Sequence, residues 1–152
     1  MLNHDYKEML QCLATEGTEF LIVGAYALAA HGIPRSTADF DIWVNPTAEN
    51  SVKVYRALAT FGAPLADVTP RDFAEEGVIF QIGVVPCRID IITKISGNIS
   101  FSEARSHADI IQLDDVQMPI LSFDHLLTNK LATGRPKDIE DVKLLKQHRG
   151  EG

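Results

Sequence analysis

Cysteine is scarce in this chain of 152 residues. The two cysteines, Cys12 and Cys87, are too few for a disulfide scaffold and lack the paired spacing of a metal site, so we expect both to be reduced core residues. No apolar run approaches the roughly 20 residues of a membrane-spanning helix, and the N-terminus is charged where a signal peptide would be apolar. These absences predict a cytoplasmic protein that does not interact with membranes.

Extremes of composition are absent as well. The chain is 45% hydrophobic and 23% charged, which predicts one globular domain over residues 1–152. Its net charge of −7 argues against sequence-independent duplex binding over the whole surface. Residues 130–149, however, carry six Lys and Arg against three Asp and Glu. A basic segment on an acidic body is compatible with a polyanionic ligand whose charge is also balanced by a metal held on the acidic part. A solvated helix face explains the same charges equally well.

Helical and strand periodicities alternate along the chain. Helices are predicted over residues 3–16, 25–30, 47–62, 71–76, 123–133 and 137–149. Strands are predicted over residues 20–23, 38–44, 78–84, 88–93, 108–113 and 116–121, with the last four forming two hairpins. The sum is an α+β domain: a mixed sheet of five or six strands with helices packed on it and a helix pair at the C-terminus.

Two aspartates lie on the second predicted strand. Because side chains alternate along a strand, Asp39 and Asp41 point to the same side and their carboxylates lie close together. Such a pair is stable only when water, a cationic side chain or a divalent metal compensates its charge, and Mg²⁺ prefers oxygen ligands. The alternative is a solvated strand face, although Trp43 on the same side argues against complete solvation.

A third aspartate, Asp90, lies in an apolar β run. If this strand neighbours the Asp39 strand, the three carboxylates share a face and could hold two metal ions, as in phosphoryl transfer. The alternative is that Asp90 pairs with Arg88 or Arg35 and has no catalytic role.

The first strand enters its helix through Gly24, a turn that lets a phosphate approach free backbone N–H groups of Gly24 and Ala25. Gly24 precedes the Asp pair by about fifteen residues, enough for one helix and a return strand. The intervening loop offers Arg35 as a phosphate partner. A glycine that serves only the turn, and an arginine that is only a surface cation, are the alternatives.

The junction of the last two helices, residues 130–141, mixes both charges densely. Lys130 lies beside an apolar stripe, so its ammonium could reach a cleft. Asp138, in the first turn of the final helix, could orient Lys130 or Arg135. A junction held together by ion pairs is the alternative.

In this order, the glycine turn, the Asp39–Asp41 pair and Asp90 resemble the nucleotidyltransferase superfamily with the DNA polymerase β type of palm. The pattern extends from Gly24 to Asp90. Residues 121–142 are similar to the minimal nucleotidyltransferases of the AbiEii-type abortive-infection toxin branch. Nearly the whole chain is therefore covered by the resemblance.

The resemblance implies that a hydroxyl attacks the α-phosphorus of a nucleoside triphosphate, that the NMP is transferred and that pyrophosphate leaves. It implies a Mg²⁺ requirement, with two ions and Mn²⁺ as a substitute, and assigns the metal and catalytic roles to Asp39, Asp41 and Asp90. The implied triphosphate contacts are the backbone of Gly24 and Ala25 with Arg35, Lys130 and Arg135, the last two beside Asp138.

The chain departs from the family at two points. Ala25 stands where the family has a glycine or serine, so one hydroxyl contact to phosphate is missing while the backbone N–H remains. The chain is also shorter than many toxin-branch members, so we expect an acceptor site that is rudimentary or completed by a second subunit or a partner. The resemblance also suggests an antitoxin that neutralises the protein. The expected acceptor is an RNA or tRNA end or a protein hydroxyl. The alternatives are an antibiotic nucleotidyltransferase and a catalytically silent module that binds a nucleotide or a partner.

Overall fold

A computed structural model describes residues 3–34, 39–84, 87–113 and 115–150. Its helices are α1 (His4–Thr15), α2 (Gly24–Ala30), α3 (Ala48–Phe61), α4 (Phe101–Ser106), α5 (Phe123–Thr133) and α6 (Pro136–His148), with a 3-10 helix at Pro70–Ala74. Its strands are β1 (Phe20–Val23), β2 (Phe40–Val44), β3 (Ile79–Ile82), β4 (Ile89–Ile92), β5 (Asp109–Leu113) and β6 (Val116–Ile120). The predicted α+β class and the C-terminal helix pair are confirmed.

The strands form one mixed sheet in the order β3-β4-β2-β1-β6-β5. The outer pairs, β3 with β4 and β5 with β6, are antiparallel, as the two predicted hairpins require. At the centre, β1 pairs antiparallel with β2, whereas β2 pairs in parallel with β4. This parallel pairing brings the strand that holds Asp41 next to the strand that holds Asp90.

Alternation along β2 divides its side chains between two environments. Phe40 points into an aromatic cluster, with its ring 4.6 Å from that of Tyr6 on α1 and 5.0 Å from that of Tyr26 on α2. Asp41 and Trp43 point to the opposite face, where Trp43 is buried and meets Phe101 of α4 edge to face at 5.2 Å. The acidic face of β2 is therefore closed by packing at one end, as the presence of Trp43 suggested.

Several details differ from the sequence-based expectations. Strand β2 begins at Phe40, so Asp39 lies just before the strand and not on it, and the helix predicted over residues 71–76 is the 3-10 helix Pro70–Ala74. Helix α4 was not predicted, although Ser100 caps it by accepting a hydrogen bond from the Glu103 N–H. The expectation that both cysteines are core residues was wrong, since Cys12 is half-buried and Cys87 is exposed. Cys87 precedes β4 in the hairpin connection, outside the packed strands.

In the described part of the chain, no helix is long and apolar enough for a membrane span.

A buried amide connects the start of β1, the end of β2 and α3. Asn50 is almost fully buried, and its Oδ1 accepts a hydrogen bond from the Glu19 N–H at 2.8 Å. Its Nδ2 donates to the carbonyls of Glu19 at 3.1 Å and Asn45 at 2.9 Å. One side chain thus satisfies three backbone groups that lie outside regular pairing.

Replacing this amide tests how much the connection stabilises the fold. We expect Asn50→Ala to lower the free energy of unfolding by about 1 to 3 kcal/mol, because the Glu19 N–H and the Asn45 carbonyl lose the hydrogen bonds that this side chain makes. Val52→Ala, on the exposed side of the same helix, should change it by less than about 0.5 kcal/mol. Urea unfolding measures both, and an Asn50→Ala protein as stable as the Val52→Ala protein would contradict the assignment.

Candidate active site

The turn from β1 to α2 is shaped around one carboxylate. Gly24 has a φ of +68°, a left-handed conformation that favours glycine. A Cβ at this position would lie 3.1 Å from Asp41 Cγ and closer still to Asp41 Oδ2. The neighbouring residue, Val23, is the cross-strand partner of Asp41. Backbone conformation and space both require glycine here, and the Asp41 carboxylate lies directly against the turn.

The three predicted carboxylates converge in space. Asp41 of β2 and Asp90 of β4 are direct partners across the parallel pair. Asp39, just before β2, lines the same cleft as Asp41 and is linked to Asp90 through Arg88. Asp90 is buried, and its side chain shares a hydrogen bond with Asp41. Burial raises the pKa of Asp41 to about 6, and the negative charges of Asp90 and Asp39 add to the increase. The Asp41 carboxyl therefore keeps its proton to a higher pH than an ordinary aspartate does.

An arginine lies among these acids. Arg88 Nη2 donates to Asp39 Oδ2 at 2.6 Å and to Asp90 Oδ2 at 3.3 Å. Its Nε lies 3.0 Å from Asp90 Oδ1, although neither atom makes an aligned hydrogen bond among the described residues. The sequence indicated Arg88 only as an alternative partner of Asp90, and that pairing exists. Its simultaneous contact with Asp39 was missed, because it depends on the neighbouring strand.

The donor set suits a hard cation. All three side chains offer carboxylate oxygens, the ligands that Mg²⁺ prefers, and the buried Asp90 Oδ1 accepts no hydrogen bond within the described ranges. The same residues do not stand ready as a group of three metal ligands, a result that covers only the described part of the chain. In the structure the Arg88 guanidinium binds both Asp39 and Asp90. The three carboxylates suit Mg²⁺ chemically, and the Arg88 guanidinium contacts some of the oxygens that would bind it.

Asp39 and Asp41 face a cleft of about 680 Å³. Its sheet side includes Gly24, Ala25, Asp39 and Asp41, and its helical side includes Lys130 and Arg135. Asp90, the buried cross-strand partner of Asp41, does not line this cleft, and Arg35 lies outside the described residues. Cleft residues that the sequence did not indicate are Lys94, Ser96, Asn129 and Lys137. A second cleft of about 750 Å³, lined by residues of α1, β1 and β6, contains none of the predicted site residues.

The helical side of the cleft is built on an ion-pair network. Lys130 Nζ lies 3.3 Å from Asp138 Oδ1 and 3.2 Å from Asp141 Oδ2, and Arg135 Nε donates to Asp138 Oδ2 at 2.7 Å. Burial lowers the pKa of Lys130, and the charge of Asp138 opposes that change. Burial alone would raise the pKa of Asp138, but bonds from Arg135 and Thr133 lower it well below its usual range. Asp138 is fully buried and orients both cations, as its position in the first helical turn suggested.

The network favours the interpretation of residues 130–141 as a junction held by ion pairs. The charges of Lys130 and Arg135 are balanced by Asp138 and Asp141. Of the two cations, Arg135 is the more accessible, with its side chain 59% exposed against 11% for Lys130. A phosphate in the cleft would therefore reach Arg135 more easily than Lys130.

Substitution of the turn glycine should reveal the contact with Asp41. We expect Gly24→Ala to destabilise the protein by at least about 2 kcal/mol more than Gly62→Ala, because both positions have positive φ but a Cβ at Gly62 meets no described atom within 4 Å. Unfolding of each variant, alone and combined with Asp41→Ala, measures the coupling. An excess cost of Gly24→Ala that persists without the Asp41 carboxylate would contradict this explanation.

The raised pKa of Asp41 predicts a pH-dependent stability of the metal-free protein. Its pKa is about 6 in the folded state, against about 4 in an unfolded chain. The folded state thus binds the proton more tightly, so the contribution of Asp41 to stability is present below about pH 4 and is lost as the pH rises through about 6. Above that range, the ionised Asp41 is a net penalty.

Asp41→Asn removes this penalty. In EDTA we expect the variant to exceed the wild type in unfolding free energy by about 1 to 3 kcal/mol at pH 8 and to match it near pH 4. Exposed Asp67→Asn serves as the control and should follow the wild type at both values. Chemical denaturation gives all six numbers, and parallel pH profiles for wild type and Asp41→Asn would refute the assignment.

Solved structures with the same fold place this geometry in context. No family model and no curated protein matches the chain. The crystal structure of TM1012, a candidate nucleotidyltransferase from Thermotoga maritima, matches with a TM-score of 0.63 at 15% identity, over 100% of this chain and 97% of that one. The solution structure of the antibiotic-resistance factor ANT(2'')-Ia matches with a TM-score of 0.63 at 13% identity, over 96% and 83% of the two chains.

A crystal structure of ANT(2'')-Ia in complex with adenylyl-2''-tobramycin also matches. Its TM-score is 0.61 at 14% identity, and the match covers 95% of this chain and 87% of that chain. At these identities the likeness concerns the fold, and the AbiEii-type branch is not distinguished by it. With its six-stranded mixed sheet and flanking helices, the chain has the fold of the nucleotidyltransferases.

Proposed function

We propose that the protein is a Mg²⁺-dependent nucleotidyltransferase that moves an NMP from a nucleoside triphosphate to a hydroxyl acceptor. The observation that carries this proposal is the pairing of Asp41 with Asp90 against the Gly24 turn, at a cleft with Lys130 and Arg135 on its other side. Carboxylates, a glycine turn and cations are the groups that phosphoryl transfer needs around one phosphate.

Each group has a proposed task. Asp39, Asp41 and Asp90 would hold Mg²⁺, with Mn²⁺ as a substitute, and when bound the metal supplies neutralisation of charge at the reacting phosphate. Backbone N–H groups of Gly24 and Ala25 would bind the triphosphate. The charge of the leaving pyrophosphate would be balanced by Arg135, Lys130 and Arg35.

The proposed reaction exchanges one bond to phosphorus for another. The acceptor oxygen forms a bond to the α-phosphorus, the bond from that phosphorus to the bridging oxygen of pyrophosphate breaks, and pyrophosphate leaves. The proton of the acceptor hydroxyl passes to a carboxylate, for which Asp90 is the proposed base. Asp90 is buried and lies on β4 directly opposite Asp41, so the pairing of the two strands fixes its position relative to Asp41.

Two observations favour different acceptors. The similarity of residues 121–142 to the AbiEii-type toxins favours an RNA or tRNA end or a protein hydroxyl, and with it a toxin role and a neutralising antitoxin partner. The fold likeness to ANT(2'')-Ia, solved with adenylyl-2''-tobramycin, favours an antibiotic as the second candidate. We propose the macromolecular acceptor first, because its resemblance is carried by residues of this sequence.

A labelled transfer assay tests the activity and the acceptor together. Purified protein, Mg²⁺ and each α-³²P-labelled NTP are incubated with total RNA, with cell protein or with an aminoglycoside panel. We expect label in RNA or protein and release of pyrophosphate. Label confined to the aminoglycoside arm would support the second candidate. NTP binding by calorimetry without transfer in any arm would instead indicate a silent nucleotide-binding module and overturn the proposal.

Carboxylate variants test the metal assignment in the same assay. We expect Asp41→Asn and Asp90→Asn to reduce the transfer rate at least about a hundredfold, because each removes a negatively charged ligand while preserving shape. Asp67→Asn, an exposed position between α3 and the 3-10 helix, is the matched control and should retain the wild-type rate. Retained transfer in Asp41→Asn would refute the proposed site.

A further inference from the structure

We infer that Arg88 is a built-in competitor of the divalent cation: its guanidinium occupies the acidic cluster when no metal is bound and must leave Asp39 for the metal to bind. The inference rests on the proposed metal site and names a residue that would compete with the metal for it. It assigns to Arg88 a task that neither the glycine turn nor the three carboxylates perform.

The contacts of Arg88 are those of a counter-ion held within the site. Its Nη2 lies between two carboxylates, at 2.6 Å from Asp39 Oδ2 and 3.3 Å from Asp90 Oδ2. Its Nε lies 3.0 Å from the other oxygen of Asp90. The side chain of Arg88 is only 27% exposed, and that of Asp90 only 11%. Water therefore screens this cluster poorly, and the guanidinium supplies the missing positive charge.

A metal would need the same oxygens. Mg²⁺ binds carboxylate oxygen at about 2.0 to 2.1 Å and brings two positive charges. An ion held by Asp39 and Asp90 at that range would stand within a few ångströms of the guanidinium that binds both residues now. Repulsion between the two cations in a half-buried site is strong, so simultaneous occupation is unfavourable.

Only the side chain of Arg88 needs to move. Its backbone carbonyl accepts hydrogen bonds from the Phe40 N–H at 2.9 Å and from the Tyr6 hydroxyl at 3.4 Å, which fix the start of β4 against β2 and α1. The strand that positions Asp90 can therefore remain in place while the guanidinium turns toward solvent. Metal binding then exchanges one counter-ion for another without a change in strand register.

Calorimetric titration of the full chain with Mg²⁺ alone tests the competition. We expect Arg88→Gln to bind Mg²⁺ about tenfold more tightly than the wild type, since the metal no longer displaces a charge-assisted contact. Arg88→Lys, which keeps the charge but cannot bridge both acids in the same way, should lie between the two. Lys94→Gln removes a cation that lines the cleft and pairs with Glu76 instead, and it should change the affinity less than about twofold.

The wild-type protein provides a second readout that needs no variant. In ¹⁵N-detected spectra, the Arg88 Nε–H signal should shift toward that of a solvated arginine as Mg²⁺ is added, with the same midpoint as the calorimetric curve. Unchanged or weaker Mg²⁺ affinity in a folded Arg88→Gln protein, or an Nε–H signal that stays fixed at saturating metal, would overturn the inference.

The failure of this inference is distinguishable from that of the proposed function. If neither wild type nor Arg88→Gln binds Mg²⁺, the metal site itself is wrong and the inference falls with it. If both bind with equal affinity, only the competition is wrong. Tighter binding by Arg88→Gln in a protein that transfers no label would support the competition and refute the transferase activity.

Discussion

The parallel pairing of β2 with β4 is the constraint on which the candidate site depends. It sets Asp41 directly opposite Asp90, although the two are far apart in sequence. The antiparallel partner on the other side, β1, ends at Val23 beside Asp41 and turns at once through Gly24. A shift of either register by one residue would turn the acids into the aromatic core, because side chains alternate along each strand. Position in the sheet thus determines which chemistry is available.

The sequence was informative where a local signal exists. Alternation along β2 and the strand-to-helix glycine predicted the elements around the site, and the two hairpins predicted part of the sheet order. The cross-strand contact between Arg88 and Asp39 has no local signal, because nothing within β4 indicates which strand lies beside it. Helix α4 was missed although its signal is local, since the capping residue Ser100 is followed three residues later by Glu103.

The sequence separates a basic C-terminal segment from an acidic body, but the folded protein does not have one acidic and one basic side of the cleft. At the C-terminal junction, Lys130 and Arg135 are held by Asp138 and Asp141, so most of their charge is balanced where it lies. On the sheet side, Arg88 partly balances the acidic cluster. Each side of the cleft carries its own counter-ions, and the field across it is weaker than the counts along the chain suggest. Small rearrangements of paired side chains can therefore change the local charge substantially.

Holding acids together before a ligand arrives has a cost that the fold must meet internally. Three carboxylates in a half-buried space repel one another, and in this chain a shared hydrogen bond between Asp41 and Asp90 and the guanidinium of Arg88 reduce that repulsion. Every gain in the stability of the metal-free cluster is lost from the affinity for an incoming cation, because the two draw on the same oxygens. In the proposed metal site, the balance between folding stability and metal affinity would depend on Arg88, which lies just before β4 and two residues before Asp90.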